Sequence, residues 1–248
     1  MFDAQLTLVT GASSGIGREI AIHLSESRSV LIHGRDLDRL EETLSLCSPG
    51  NHQLWSFDLE RVTDIREALT TICAERQFVV SDFVHCAGIP AVSAARMMSA
   101  AQIQKVFNIN TISALEICAT LLRKNNQGAL KNIVFVTSIW GLFGSVGHAV
   151  YSATKGALDA AMKSLSIELA PATRVNSLAL GAIETPMAAS ALSNPEIRAH
   201  MEKNYPLGIG TTKDAAAICD FILSDAAKWL TGQVIVADGG RTAHMSNK

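Results

Sequence analysis

Three side chains in the stretch 131–155 could together move a proton to or from a carbonyl oxygen. Tyr151 and Lys155 lie four residues apart at the head of a long helical pattern, so one helical face presents both. Ser138 follows an apolar, β-branched run that predicts a buried strand. A nearby ammonium favours the phenolate, so we expect Lys155 to lower the pKa of Tyr151 towards the range of a general acid. The Ser138 hydroxyl could hold a carbonyl in front of that phenol.

The same stretch has two other interpretations. It carries no charged residue between Lys131 and Lys155 and could be taken for a membrane span. Gly141, Gly144 and Gly147 argue against a span, because a lipid-facing backbone could not stay hydrogen-bonded through such a loop. A tyrosine and a lysine at this spacing are also common on helices that do no chemistry, so the functional interpretation needs support from other motifs.

A glycine-rich turn near the start of the chain predicts a site for nucleotide phosphates. Residues 5–10 predict a buried strand, and a helical pattern runs to about Ser27 after the turn. Glycines let the backbone approach a pyrophosphate, and the following helix N-terminus offers free N–H groups and partial positive charge. The spacing is G-x-x-x-G-x-G, and a plain strand–helix turn is the alternative. The candidate residues in this turn are Gly11, Ser13, Ser14, Gly15, Ile16 and Gly17.

The end of the second predicted strand, residues 29–33, bears on the choice of cofactor. A carboxylate at this position would bind the ribose 2′-hydroxyl of NAD, whereas an arginine favours the 2′-phosphate of NADP. Gly34 occupies the position and Arg35 follows it, so Arg35 favours NADP(H). The alternative is a solvated arginine at a helix start. Asp36 is predicted to cap the helix at 37–46.

Asp58 lies at the carboxyl end of a third predicted strand, 52–57, where ligands bind in parallel sheets. It could accept a hydrogen bond from an adenine amino group, or it could cap a helix predicted at 61–76. Both interpretations stay open.

A fourth predicted strand, 79–85, ends in a turn of small residues, Ala87 and Gly88, that would let a ribose pass close. Residues of this kind also line sheets without binding anything. His85 and Cys86 are predicted to pack in the core in preference to a role in catalysis or metal binding, and no metal site is predicted.

The remaining chain continues the alternation of helices and strands. Helices are predicted at 96–107 and onward to about Asn126, and Asn110 falls where an asparagine would favour a kink. Predicted strands at 173–179 and 233–237 flank a helix at 212–225. Between them, residues 181–210 are poor in charge and predict a flap over an apolar substrate. Small residues in the flap are Ala188, Ala189 and Ala191.

Composition limits the possible functions and partners. The chain has 248 residues, a net charge of -2 and a pI near 6.4, so it has no general attraction to nucleic acid or to an anionic membrane. Five cysteines form no CxxC pair and indicate reduced thiols, and the start of the chain lacks a secretory pattern. We therefore expect a cytoplasmic protein. A hydrophobic content of 48% predicts a buried sheet and subunit interfaces.

These elements together predict one α/β fold. About seven strands alternate with helices, which predicts a single doubly wound, Rossmann-like domain over residues 1–248 with a parallel sheet and helices on both faces. The expected strand order for this fold class is 3-2-1-4-5-6-7. The glycine turn and Ser138 both follow strands, so they can share one crevice.

The chain resembles the short-chain dehydrogenase/reductase family over essentially its whole length. The resemblance rests on Thr10-Gly11-x-x-x-Gly15-x-Gly17, Asp58-Leu59, Ala87-Gly88, Asn110, Ser138, Tyr151-x-x-x-Lys155 and Arg174-Val175-Asn176. It implies that Tyr151 is the general acid in reduction and the base in oxidation, with Lys155 lowering its pKa and binding the nicotinamide ribose. It further implies that Ser138 orients the carbonyl and that Asn110 holds a water in a proton relay with Lys155.

The resemblance also implies contacts to the cofactor. The glycine turn would carry the pyrophosphate, Asp58 and Leu59 would flank the adenine, and Ala87-Gly88 would line the path of the ribose. On the nicotinamide side the implied residues are Gly181, Ile183 and Thr185. Two departures from the family pattern are His85-Cys86 in place of two asparagines and Leu180 in place of a proline. The first removes two amides that brace the sheet, and the second could loosen the hinge of the flap.

Within the family, the chain looks most similar to 3-oxoacyl-[acyl-carrier-protein] reductases. That implies an NADP(H)-dependent reductase of fatty acid biosynthesis, acting on an acyl-carrier-bound or small carbonyl substrate as a homotetramer. Two alternatives stay open. One is an enzyme for another alcohol or ketone, such as a sugar, polyol or steroid. The other is a non-catalytic NADP(H)-binding sensor or scaffold.

Overall fold

A seven-stranded parallel sheet organises the protein. The computed structural model describes residues 4–189 and 193–243, and within them the strand order is β3-β2-β1-β4-β5-β6-β7. This order and the predicted fold class are confirmed. The strands are β1 (Ala4–Thr10), β2 (Val30–Gly34), β3 (Gln53–Ser56), β4 (Phe78–His85), β5 (Asn132–Ser138), β6 (Arg174–Leu180) and β7 (Val234–Ala237).

Helices cover both faces of the sheet. In the described residues they are α1 (Gly15–Ser25), α2 (Leu37–Leu46), α3 (Ile65–Glu75), α4 (Ala100–Phe107), α5 (Ser113–Leu121), α6 (Ala149–Leu169), α7 (Pro195–Asn204) and α8 (Thr212–Leu223). The bounds of α2 agree with the prediction, and Asp36 caps it as expected by accepting a hydrogen bond from the Arg39 N–H at 3.2 Å. Helix α3 begins at Ile65 instead of residue 61, because a short 3₁₀ turn precedes it.

Side chains of each strand alternate between two hydrophobic cores. In β5, Ile133 and Phe135 enter the core formed with α3, α5 and α6, whereas Val134 and Val136 enter the core formed with α1, α2 and α8. All four are essentially buried. Burying one such side chain contributes about 1.5–3 kcal/mol. Because both faces are covered, the strands read as continuous apolar runs in the sequence.

The crevice at the carboxyl ends of β1 and β4 lies where the chain turns to opposite sides of the sheet. Strand β1 pairs with β2 on one side and with β4 on the other, and Thr10 stands in register with His85. The Thr10 hydroxyl lies 3.1 Å from His85 Nδ1 and accepts hydrogen bonds from the N–H groups of Cys86 and Ala87, both at 3.2 Å. Thr10 and the imidazole therefore brace this part of the sheet in place of the two missing amides.

A π-helical turn at Asn108–Ile112 separates α4 from α5. The asparagine-rich stretch was expected to mark a kink, and the structure confirms it. The turn carries the fully buried Asn110 towards the Gly88 turn.

Helix α7, which the sequence patterns did not predict, lies inside the proposed flap. Its start carries a recognisable signal: the Asn194 side chain accepts hydrogen bonds from the N–H groups of Glu196 and Ile197, and Pro195 occupies the first turn. The flap residue Ala191 lies outside the described residues.

Arg174 and Asn176 lock the last strands together. The Arg174 guanidinium donates to main-chain carbonyls at the end of α8 and after it, including Ile222 at 2.9 Å and Ala227 at 3.0 Å. The Asn176 amide donates to Leu230 O at 3.0 Å. This motif positions β6, and with it the start of the flap.

Residues 131–155 form β5, a 3₁₀ turn and the first turns of α6, which confirms that they are not a membrane span. Across residues 4–189 and 193–243, every helix is too short or too polar to traverse a bilayer.

Candidate active site

A crevice of about 260 Å³ opens at the carboxyl ends of β1, β2 and β4. It brings together most of the residues predicted to bind the cofactor. Those lining it are Gly11, Ser13, Ser14, Gly15, Ile16, Gly17, Arg35, Asp58, Leu59, Ala87, Gly88 and Thr185. Asp58 does not cap α3. Its carboxylate accepts the Glu60 N–H at 3.0 Å in a local turn, and the residue faces the crevice.

The glycine turn fits a pyrophosphate. Gly11 has φ +70°, and a Cβ there would lie 2.8 Å from Ala87 Cα; a Cβ on Gly17 would lie 2.4 Å from Gly11 O. Only glycine allows this approach of backbone to backbone. The Ser14 side chain makes no capping hydrogen bond and the first turn of α1 holds no acidic residue, which leaves its N–H groups and positive end for an anion.

Replacing Gly11 by alanine is expected to weaken nucleotide binding at least about tenfold. It should also lower the free energy of unfolding by more than about 1–2 kcal/mol, the cost of placing an alanine in the left-handed conformation, because the new Cβ would also collide with Ala87. Gly128 is a matched control, since it has φ +68° and open space around the Cβ position. Gly128→Ala should show the cost of the left-handed conformation alone: thermal unfolding should record a loss of stability, and calorimetric titration should record no loss of NADPH binding. Equal losses of binding in both variants would contradict this packing argument.

A second cavity of about 310 Å³ adjoins the first and contains the proton-transfer candidates. Ser138, Tyr151 and Lys155 line it, together with the predicted nicotinamide-side residues Gly181 and Ile183. The residues that line both cavities are Ile16, Cys86, Gly88, Thr185 and Met187. A ligand that crosses from the glycine turn past Gly88 therefore ends beside Tyr151.

Lys155 is held between the sheet and the Gly88 turn. Its ammonium donates to Val136 O at 2.9 Å and lies 5.7 Å from the centre of the Tyr151 ring. A Cβ on Gly88 would lie 3.6 Å from Lys155 Nζ. The ammonium thus stands at the turn predicted to line the ribose path. The Ser138 hydroxyl accepts the Trp140 N–H at 3.3 Å, which fixes its position beside the phenol.

The expected acidification of Tyr151 is wrong for the polypeptide alone. Burial raises the pKa of Tyr151 to about 12, with Cys86 acting in the same direction and a hydrogen bond from Ser138 opposing it. Burial also lowers the pKa of Lys155, against the attraction of Cys86 and Asp159. The Lys155 ammonium donates to Val136 O and lies 5.7 Å from the centre of the Tyr151 ring, and burial of the phenol sets the direction of its pKa shift. At neutral pH the phenol is therefore protonated.

The Asn110 side chain braces the turn after β4. Its Oδ1 accepts the Ile89 N–H at 2.8 Å, and its Nδ2 donates to Ile89 O at 3.1 Å and to Thr154 Oγ1 at 3.2 Å. Both ends of the amide hydrogen-bond within the protein, and the water that the resemblance implied at Asn110 stays a prediction. Asn110 lines neither cavity and acts by holding the Gly88–Ile89 turn against α6.

The two residues after β4 differ in their environment. His85 is fully buried as predicted, and burial lowers its pKa to about 3. Cys86 was also predicted to pack in the core; it is partly buried, packs against the core formed with α1, α2 and α8, and also lines both cavities. Burial raises the pKa of its thiol to about 12, so the group is a neutral part of the wall.

Several lining residues were missed in the sequence, among them one charged and three ring side chains. Arg39, in the first turn of α2, lines the crevice together with Arg35, which precedes the helix. Trp140, His148 and Tyr205 line the second cavity.

The described part of the predicted flap is anchored over the second cavity. The Tyr205 hydroxyl accepts the Ala182 N–H at 3.0 Å, and Arg198 of α7 forms ion pairs with Glu184 and Glu202. A Cβ on Gly181 would lie 2.8 Å from Asp238 Cα, so Gly181 permits close packing at the flap's base despite Leu180 before it.

Comparison with known proteins agrees with this geometry. The family model described as "Enoyl-(Acyl carrier protein) reductase" matches residues 11–242, and the chain belongs to this family of short-chain dehydrogenases/reductases. It is similar to the 3-oxoacyl-[acyl-carrier-protein] reductase FabG of Chlamydia pneumoniae, with 31% identity over 240 residues that cover 95% of this chain and 96% of the relative.

Two solved structures carry bound nicotinamide nucleotides. A point variant of actinorhodin polyketide ketoreductase with NADPH is 27% identical, with a TM-score of 0.88 and coverage of 98% of this chain and 99% of that one. 4-Hydroxyisoleucine dehydrogenase with NADH is 25% identical, with a TM-score of 0.87 and coverage of 97% and 99%. The protein is therefore an oxidoreductase with a fold that binds a nicotinamide cofactor.

Proposed function

We propose that the protein is an NADP(H)-dependent carbonyl reductase. The observation that carries the proposal is that Ser138, Tyr151 and Lys155 converge in a cavity that adjoins the glycine-turn crevice. The cofactor would supply a hydride to the carbonyl carbon. Tyr151 would give its phenolic proton to the carbonyl oxygen, while Ser138 orients that oxygen and Lys155 binds the ribose at Gly88. Tyr151 enters reduction with its proton in place, because burial raises its pKa to about 12.

The preference for NADP(H) rests on two arginines and one glycine. Arg35 and Arg39 line a recess beside Ser13, and neither guanidinium has a hydrogen-bond partner among residues 4–189 and 193–243. A Cβ on Gly34 would lie 3.0 Å from Ser13 Cβ, which leaves no room for a ribose-binding carboxylate there. Two free guanidinium groups suit a 2′-phosphate.

The first substrate class to test is a 3-oxoacyl thioester, as on an acyl carrier protein in fatty acid biosynthesis. The support is the likeness to FabG and a mainly apolar cavity walled by Val92, Met187 and Met201. Residues 181–210 serve as the flap over that substrate. Purified protein should oxidise NADPH when given an acetoacetyl thioester or a ketone from a panel. Stoichiometric NADPH binding with no turnover of any ketone would contradict the function and favour a sensor or scaffold.

We further propose a cytoplasmic homotetramer. Large apolar side chains are exposed on two separate faces: Leu122 and Ile167 on α5 and α6, and Phe221 and Trp229 in and after α8. Two such patches on one chain suit a closed assembly with two kinds of two-fold contact. All five cysteines are free, as expected for a reducing compartment. Native mass spectrometry tests the tetramer.

A further inference from the structure

His148 is a polar side chain of the second cavity to which the proposed chemistry gives no role. Its ring packs on Trp140 with centroids 3.9 Å apart, and Trp140 meets the Tyr151 ring edge-on at 6.0 Å. A row of three rings therefore leads from the phenol to the imidazole along one wall.

The hydrogen bonds of His148 determine which ring nitrogen carries the proton. Nδ1 lies 2.9 Å from Val146 O and 3.2 Å from Ser145 Oγ. A carbonyl oxygen can only accept, so Nδ1 must be the donor to Val146. In the neutral ring, Nε2 is then the bare acceptor. The Nδ1 edge of the imidazole is thus bound to its own loop and one face packs on Trp140, which leaves Nε2 as the free acceptor of a residue that lines the cavity.

Nothing in residues 4–189 or 193–243 hydrogen-bonds His148 Nε2, whereas two other polar groups that line the cavity are engaged. The Tyr205 hydroxyl binds the Ala182 N–H, and the Lys155 ammonium binds Val136 O. Around them the wall is largely apolar. A bound substrate would shield the Nε2 acceptor from water. Because an acceptor that loses its water and gains no donor costs free energy, a substrate that supplies a donor is favoured.

We propose that His148 Nε2 accepts a hydrogen bond from a substrate hydroxyl close to the reacting carbonyl, so that the preferred substrates are hydroxylated ketones and, in reverse, diols or polyols. The inference rests on the proposed reductase function and, within it, places hydroxylated ketones ahead of the 3-oxoacyl thioester as preferred substrates. The hydroxyl takes no part in the reaction: the hydride goes to the carbonyl carbon, the Tyr151 proton to the carbonyl oxygen, and the neighbouring O–H stays intact. A 3-oxoacyl thioester has no hydroxyl beside its ketone and should be the poorer substrate.

The test uses isosteric ketone pairs with NADPH: hydroxyacetone against butanone, and 2-hydroxycyclohexanone against 2-methylcyclohexanone. We expect wild-type kcat/KM to favour the hydroxylated member by about 10–100-fold, because a site built for a hydroxyl rejects the analogue that lacks it. His148→Phe should reduce the preference within each pair to about threefold or less, and calorimetry should give an NADPH Kd within about threefold of the wild type. His148→Gln, which keeps an acceptor, should restore part of the preference.

The outcomes separate this inference from the function on which it rests. Equal kcat/KM within each pair, or a preference that survives His148→Phe, would overturn the inference and leave the reductase function standing. Failure to reduce every ketone, the acetoacetyl thioester included, would overturn both.

Discussion

Replacing Tyr151 by phenylalanine is expected to lower kcat for ketone reduction by about 10²–10⁴-fold, the usual contribution of a positioned general acid. The phenol is protonated at neutral pH and stands beside Ser138 in the cavity that continues the glycine-turn crevice. Removing one oxygen deletes the proton donor and leaves the ring that packs against Trp140. Steady-state kinetics with the best ketone of the panel measures the loss, and calorimetry should give an NADPH Kd close to that of the wild type.

Tyr205 supplies a matched control for that substitution. It is the only other tyrosine of the chain, and it lines the same cavity. Its hydroxyl is engaged by the Ala182 N–H, so Tyr205→Phe should change kcat by less than about tenfold through a shift of the flap. Similar losses in the two variants, or near-normal turnover by Tyr151→Phe, would contradict the assignment of the acid to Tyr151.

The same assignment fixes the direction of the pH dependence. The raised pKa keeps Tyr151 protonated through the neutral range, as reduction requires. Oxidation requires the Tyr151 phenolate, which is scarce in that range. The kcat for alcohol oxidation should therefore rise with pH between about 6 and 8, by up to about tenfold per unit, while kcat for reduction does not rise. A kcat for oxidation that falls as the pH rises would contradict the assignment of the proton donor to Tyr151.

Replacing Arg35 and Arg39 together by alanine is expected to raise KM for NADPH by about 10–100-fold, since each charge-assisted hydrogen bond to a phosphate contributes about 1.5–3 kcal/mol and the two are not additive. The kcat/KM for NADH should stay within about threefold, because NADH lacks the 2′-phosphate. Arg35→Ala alone should give a smaller change in the same direction. Initial rates with both cofactors at a fixed ketone concentration measure the effect.

Arg76→Ala is the control for removal of surface charge. Arg76 is exposed at the end of α3 and does not line the crevice. The Arg76→Ala variant should leave both KM for NADPH and kcat/KM for NADH unchanged. Wild-type kcat/KM for NADH that equals or exceeds that for NADPH would contradict the cofactor preference, whatever the arginine variants do.

Patterns local to the chain predicted the strands and the positions of the glycine turn, Ser138, Tyr151 and Lys155. These features depend on short-range rules: buried parallel strands are apolar throughout, the turn needs glycines, and positions four apart share a helical face. Because strand carboxyl ends meet at one edge of the sheet, the sequence could also predict that these residues share a crevice. Their placement in adjoining cavities agrees with that prediction.

Features that depend on tertiary contacts could not be predicted. The raised pKa of Tyr151 follows from burial, which a spacing of four residues does not reveal. The role of Asn110 depends on Ile89 and Thr154, which are distant in sequence. The orientation and tautomer of His148 depend on its contacts with the Trp140 ring and the Val146 carbonyl. Helix α7 was missed although Asn194-Pro195 marks its start, because the apolar pattern there is weak.

In the proposed reaction a protonated phenol stands beside a bound nicotinamide ring, and transfer of a labelled hydride tests this arrangement. NADPH with both hydrogens at nicotinamide C4 replaced by deuterium is mixed with excess protein and a hydroxyketone for a single turnover, and the alcohol is analysed by mass spectrometry. We expect one deuterium on the carbinol carbon with wild-type protein and almost none in the same time with Tyr151→Phe. NADPH bound stoichiometrically by the wild type, with no deuterium delivered to any ketone of the panel, would contradict the proposed arrangement.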